Sequence, residues 1–147
     1  MIRRYGTEDV YEALQRRLEF IFEEFDNIYL SFSGGKDSGL LLNLTMDFQK
    51  KYYPKKRIGV FHQDFEAQYS VTTEYIERTF KRLEKEAELY WVCLPMATRT
   101  ALSSYEMFWY PWDDTKKEAW VRELPKHDYV IHLENNPITT YRYRMHQ

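Results

Sequence analysis

The hexapeptide Ser33-Gly34-Gly35-Lys36-Asp37-Ser38 sits where a short apolar run gives way to a leucine-rich one, and that position limits what the chain can become. Residues 27–33, Asn-Ile-Tyr-Leu-Ser-Phe-Ser, are rich in β-branched and aromatic side chains and free of proline, which predicts a buried strand. From Lys36 to about Tyr52 the leucine content and length predict a helix. Two glycines at such a junction admit backbone angles closed to other residues and put no Cβ in the way of a ligand. The first amides of the helix then point outward unpaired, with the helix dipole adding partial positive charge. Phosphate fits that place. Ser33 and Ser38 offer hydroxyls, Lys36 a cation, and Asp37 a carboxylate able to brace the loop or approach a metal. The structural alternative is an ordinary turn with Ser33 as helix N-cap.

The remaining pattern predicts strands alternating with helices. An amphipathic helix spans Glu8 to Phe25, with Thr7 as its cap and Val10, Leu14, Leu18, Ile21, Phe22 and Phe25 on one face. Leucines around most of the circumference of the helix after the loop predict that it lies between layers. A second strand covers 58–62, and a further helix carries Val71, Tyr75, Ile76, Phe80, Leu83 and Ala87 on one face. A third strand covers 89–94, stopping at Pro95, and a fourth is predicted near 129–133. Such alternation predicts an α/β fold, a doubly wound, mostly parallel sheet with helices on both faces. Ligands in such sheets bind beyond the carboxyl ends of the strands, where Ser33, Asp64 and Pro95 fall.

Residues 96–147 are less regular. Met96 to Tyr105 reads as a short helix, and Tyr105 to Thr115 as a long aromatic connection containing Trp109, Tyr110 and Trp112. These rings are candidates for stacking a base, forming a packed lid or meeting another chain. Arg99, Lys116, Lys117, Arg122 and Lys126 are candidate clamps for an anion, each also explicable as a solvated surface charge. The tail, residues 139–147, ends without a recognisable cap.

The hexapeptide is not the GxxxxGK[ST] loop of ordinary nucleoside triphosphatases. It resembles the pyrophosphate loop (PP-loop) of the adenine nucleotide α-hydrolase-like superfamily, which includes N-type ATP pyrophosphatases and phosphoadenosine phosphosulfate reductases. The run Tyr11–Ser38, with the later Trp109-Tyr-Pro-Trp-Asp-Asp and Trp120-Val-Arg, is similar to a reductase-like branch described as sulfurtransferases or immunoglobulin-binding regulators. The likeness implies one nucleotide-binding domain over residues 1–147, with an aromatic-rich segment 96–147 that is either a natural short version or interrupted. It implies ATP, or an adenylyl-sulfate nucleotide, on Ser33, Gly34, Gly35, Lys36, Asp37, Ser38 and Asp64, with Lys36 and Asp37 catalytic. Cleavage of the α–β phosphate bond and adenylation or transfer to a further substrate would follow. It also implies Mg2+ carried mainly by the phosphates with Asp64 alongside, and a ParB/sulfiredoxin-like protein partner. Asp64 alone reads equally as a helix cap or a loop carboxylate.

Charge and cysteine usage narrow the classes. Twenty-one basic against 23 acidic residues give a net charge of −2, which supplies no overall basic footprint for nucleic acid. No apolar run approaches the roughly 20 residues needed to span a bilayer. A lone cysteine, Cys93, within an apolar strand reads as a small buried hydrophobe, and the sequence opens without a signal-like leader, so a cytoplasmic protein is expected. Since no cysteine follows Cys93, the thiol step of the resembled reductases is not expected of this chain alone. The scattered histidines predict no zinc site.

Overall fold

The computed structural model describes residues 7–146. Four parallel strands, β1 (Tyr29–Ser31), β2 (Gly59–Gln63), β3 (Glu88–Val92) and β6 (Val130–Ile131), form the main sheet in that spatial order. A separate antiparallel pair joins β4 (Thr98–Arg99) to β5 (Phe108–Trp109). The helices are α1 (Val10–Glu24), α2 (Lys36–Tyr52) and α3 (Ser70–Leu83), and a 3-10 stretch runs from Asp114 to Ala119. The mixed α/β class with a parallel sheet is therefore present, and residues 1–6 and 147 of the expected 1–147 domain lie outside the described ones.

Local signals explain these elements. The cap of α1 is Asp9 rather than Thr7: its carboxylate accepts from the Glu12 amide at 2.8 Å while the Glu12 carboxylate accepts from the Asp9 amide at 3.1 Å. This reciprocal capping box satisfies two amides and contributes on the order of 1 kcal/mol. Strand period two is clearest where the sheet meets the helices. Val60, His62, Trp91 and Phe32 face α3, with Trp91 against Phe80 at 5.4 Å and Phe32 against Tyr75 at 5.8 Å between ring centroids. Phe61, Val92 and Ile131 point the other way, onto Met96, Leu133 and Tyr141.

All three helices belong to the first of these two clusters. The expected second helical layer is not found among the described residues, and the topology says why. The chain steps from β1 to β2 to β3 in one direction, and right-handed crossovers then put both connecting helices on the same face. Accordingly α2 does not lie between layers. Leu42, Met46 and Phe48 are buried while Leu40 and Leu41 are exposed. On the opposite face Tyr29 is 72% exposed and packs edge-on against Phe61. The short helix expected over Met96–Tyr105 is instead β4 and the start of its connection to β5. No helix among the described residues is long and apolar enough to cross a membrane.

Candidate functional site

The strand-to-helix loop forms as the glycine pair requires. Gly34 has φ +81°, in the left-handed region, and a Cβ there would stand 2.8 Å from the Ile76 side chain. Gly35 is the N-cap of α2, and no side chain caps the helix. Ser33 is therefore not the helix cap. Its hydroxyl lies 3.0 Å from that of Ser38 and 3.3 Å from the Gly35 amide, which donates to it. Ser38 Oγ in turn donates to the Gly35 carbonyl at 3.0 Å. The two serines thus hold the loop ends together, while the amides of the first helical turn have no intrahelical partner. Lys36 and Asp37 are exposed, and their side chains make no hydrogen bond or ion pair among the described residues. The loop offers oriented donors and a cation to solvent.

Asp64 lies one strand away, at the carboxyl end of β2, and its side chain is committed to neighbouring protein groups. It is 1% exposed, and both carboxylate oxygens are engaged. Oδ1 accepts from the Glu66 amide at 2.7 Å and from the Arg122 guanidinium, and Oδ2 accepts from the Trp91 indole at 2.6 Å. A metal or ribose reaching this group would have to displace Arg122 or Trp91 and leave it unpaired. Among the described residues no group of three or more His, Cys, Asp or Glu side chains is placed to hold a metal ion. The carboxylate instead ties the sheet to the chain beyond β5.

Glu66, two residues beyond Asp64, is the second half of that tie. Its carboxylate accepts the Trp112 amide at 2.8 Å and the Val121 amide at 2.9 Å, and its carbonyl accepts Arg122 Nε at 3.0 Å. Glu66 and Trp112 both take positive φ, 63° and 56°. Non-glycine residues there cost about 1–2 kcal/mol each, so the bonds they make must exceed it. The sequence signal for this tie is the Asp-x-Glu spacing at a strand end opposite a lone Arg122 in an aperiodic segment. Nothing in the residue pattern indicates the left-handed backbone.

The aromatic segment packs rather than stacks a ligand at Trp112. That indole is 1% exposed, donates to the Asp64 carbonyl at 3.0 Å, and lies under Arg122 at 4.7 Å and edge-on to Trp120 at 5.2 Å. Trp109 and Tyr110 are half-buried and line a cleft of about 600 Å³ that also includes Glu66 and Lys116. The tail is anchored onto the same segment. Arg144 donates to Asp113 at 2.5 Å, its amide donates to the Pro95 carbonyl at 3.0 Å, and Tyr143 donates to Asp113 at 2.7 Å. Burial pushes the Asp113 carboxyl up, but hydrogen bonds from Thr115, Tyr143 and Arg144 outweigh it and hold the group down at about 2. The third strand-end loop, at Pro95, is therefore covered by the tail.

Two buried groups beneath the loop are structural. His62 is packed in the core: Nδ1 lies 2.8 Å from the Phe32 carbonyl, Nε2 is buried without a hydrogen-bond partner among the described residues, and burial lowers its pKa. The Cys93 thiol, beside Asp64, is pushed up by burial and is inert as a thiolate nucleophile.

The chain is 36% identical over 120 residues to a protein of Escherichia coli (strain K12) described as "Uncharacterized protein YbdN", and the match takes in 80% of this chain and 28% of that protein. The chain thus spans under a third of that relative's length. No family model matches it.

Proposed function

We propose that this chain is the nucleotide-binding portion of a PP-loop ATP pyrophosphatase of the phosphoadenosine phosphosulfate reductase-like kind. ATP, or an adenylyl-sulfate nucleotide, places its phosphates on the first-turn amides of α2, with Ser33 and Ser38 hydroxyls and the Lys36 ammonium as further donors. The observation that supports this most is the uncapped start of a 17-residue helix behind a left-handed Gly34, with the Ser33 and Ser38 hydroxyls shaping the loop. In the reaction, an acceptor oxygen attacks the α-phosphorus, the bond from it to the bridging oxygen of the β-phosphate breaks, and pyrophosphate leaves with that electron pair. Lys36 stabilises the charge developing on the leaving group. Magnesium, if bound, would supply further charge neutralisation while held chiefly by the phosphates, and exposed Asp37 is the loop carboxylate that would hold it. Asp64 does not fit, for the reasons of burial and pairing given above. The doubly wound architecture belongs to the same reading and requires a helical cover over the face carrying Tyr29 and Phe61. A cytoplasmic location accords with the free, buried Cys93.

Product analysis with ATP and magnesium tests this. AMP and pyrophosphate are expected, with Lys36→Ala lowering their release on the order of 100-fold. ADP and phosphate as the products would overturn the choice of bond.

A second reading, a nucleotide-binding regulatory module that acts through a ParB/sulfiredoxin-like partner without turnover, is favoured by the β4–β5 connection. Leu102 and Tyr105 there are 96% and 98% exposed. Saturable ATP binding that Lys36→Ala abolishes, with no product formed in the partner's presence, would select it.

A further inference from the structure

We infer that the cleft between residues 117–128 and strand β6 is a second site, separate from the loop, which takes a small carboxylate with a flat apolar body. The cleft measures about 790 Å³ and is lined by Lys117, Arg122, Lys126 and His132, with Trp120, Leu124 and Pro125 supplying apolar wall. Glu123 and Asp128 also line it, so the excess of basic groups alone decides nothing. What separates the cations is their pairing. Lys126 is bound to Glu123 at 3.1 Å, and His127, also in the lining, to Glu77 at 3.0 Å. Lys117 has no ion pair among the described residues; its Nζ lies 5.5 Å from the centre of the Trp120 ring. The His132 imidazole has no partner among them either.

Arg122 is the pre-organised element. Nε is fixed on the Glu66 carbonyl at 3.0 Å, Nη2 on Asp64, and the guanidinium plane lies over Trp112. Nη1 is left without a hydrogen-bond partner among the described residues. Asp64 balances the Arg122 charge, and Asp128 in the lining, like Lys117, has no ion pair among the described residues, so the two cations divide the work by mobility rather than by net charge: Lys117 brings an ammonium that no ion pair holds and Arg122 brings N–H donors whose direction is already set. A planar fork held in this way loses little rotamer freedom on binding an oxyanion. The Trp120 ring beside Lys117 gives a flat body somewhere to lie, the usual combination of apolar wall and a few convergent polar groups. Arg122 also joins the cleft to the carboxyl end of β2, the strand adjacent to the loop's own β1.

The test uses amide and indole NMR spectra of the full chain, titrated with sodium benzoate and, separately, sodium sulfate at constant ionic strength. Benzoate is expected to give saturable shifts at Trp120, Arg122 and His132, and to bind more tightly than sulfate. Lys117→Ala should weaken benzoate at least about tenfold while leaving the spectrum dispersed, and Lys117→Arg should restore it. Lys36→Ala should abolish nucleotide binding and leave the benzoate shifts unchanged, so the two sites fail independently. Unsaturable shifts, shifts confined to residues 33–38, or indifference to Lys117→Ala would overturn the site. Sulfate binding as tightly as benzoate would overturn the flat-bodied carboxylate as its ligand.

Discussion

Trp91 and Trp112 are both 1% exposed and both bond to Asp64, yet they are buried by different means. Trp91 lies in a parallel strand, its ring against Phe80 and His62, and its backbone in register with β2 and β6. Its position follows from alternation and from apolar area, at about 1.5–3 kcal/mol for a fully buried large side chain. Trp112 sits in a loop at positive φ, held by the Glu66 carboxylate below its amide and the Arg122 cation above its ring. One part of the molecule is a hydrophobic scaffold, and the other is a cover that adds buried charge to its apolar contacts, since Trp112 also joins the scaffold's core cluster with Trp120 and Leu124 packed against it. In the scaffold the contacts are chiefly apolar; in the cover, Asp64, Glu66 and Asp113 add buried hydrogen bonds and ion pairs to them.

The largest expected effect comes from cutting the joint between the two halves. Asp64→Ala leaves Arg122 and the Trp91 indole without an acceptor in a buried place, and should lower unfolding free energy by about 3–5 kcal/mol in urea titration. A loss below about 1 kcal/mol would mean that the cover docks by apolar contact, as the scaffold does.

Glu66→Gln is smaller and more local. One amide oxygen replaces two carboxylate oxygens, so either the Trp112 or the Val121 amide loses its acceptor, at about 1–3 kcal/mol. Hydrogen exchange should speed up through residues 110–122 while the amides of β2 and β3 keep their protection. Uniform loss of protection would show that the two halves unfold as one unit.

The same division separates what is legible in the sequence from what is not. The scaffold is legible because periodicity encodes it: α2 runs from Lys36 to Tyr52 as the leucine pattern predicts, and β2 and β3 fall within a residue or two of the expected bounds. The loop is legible because a Gly-Gly pair between strand and helix has few structural uses. Helix placement is less so, since a leucine-rich helix reads alike whether covered on one side or two. In the cover, a short antiparallel pair replaces the expected helix at 96–105 because two-residue strands carry too few alternations to register. Asp64 has the sequence position of a ligand, but its charge is paired with Arg122, 58 residues away. Charge pairing across such separations has no period.

Acid sharpens the comparison, because each half carries its own titrating group. His62 in the scaffold has a lowered pKa, chiefly from burial, so the folded state stays neutral where the unfolded state, near the ordinary value of about 6.5, takes up a proton. Its stabilising effect is therefore complete above about pH 6.5 and declines below, by at most about 1 kcal/mol between pH 6.5 and 5.5. Asp113 in the cover is depressed to about 2 against an ordinary value of 3.8, so its contribution is complete above about pH 4 and is lost as pH falls toward 2. That loss should be about 1–2 kcal/mol, reduced from the full linkage value because Arg144 is partly exposed. Unfolding free energy measured from pH 7 to 2.5 should thus fall in two limbs. His62→Phe should flatten the upper limb and Asp113→Asn the lower, with the tail at residues 143–146 released first in the second case. If Asp113→Asn left the lower limb intact, the tail would be held by its backbone bonds to Pro95 and Ala97, and the cover would owe less to charge than its geometry indicates.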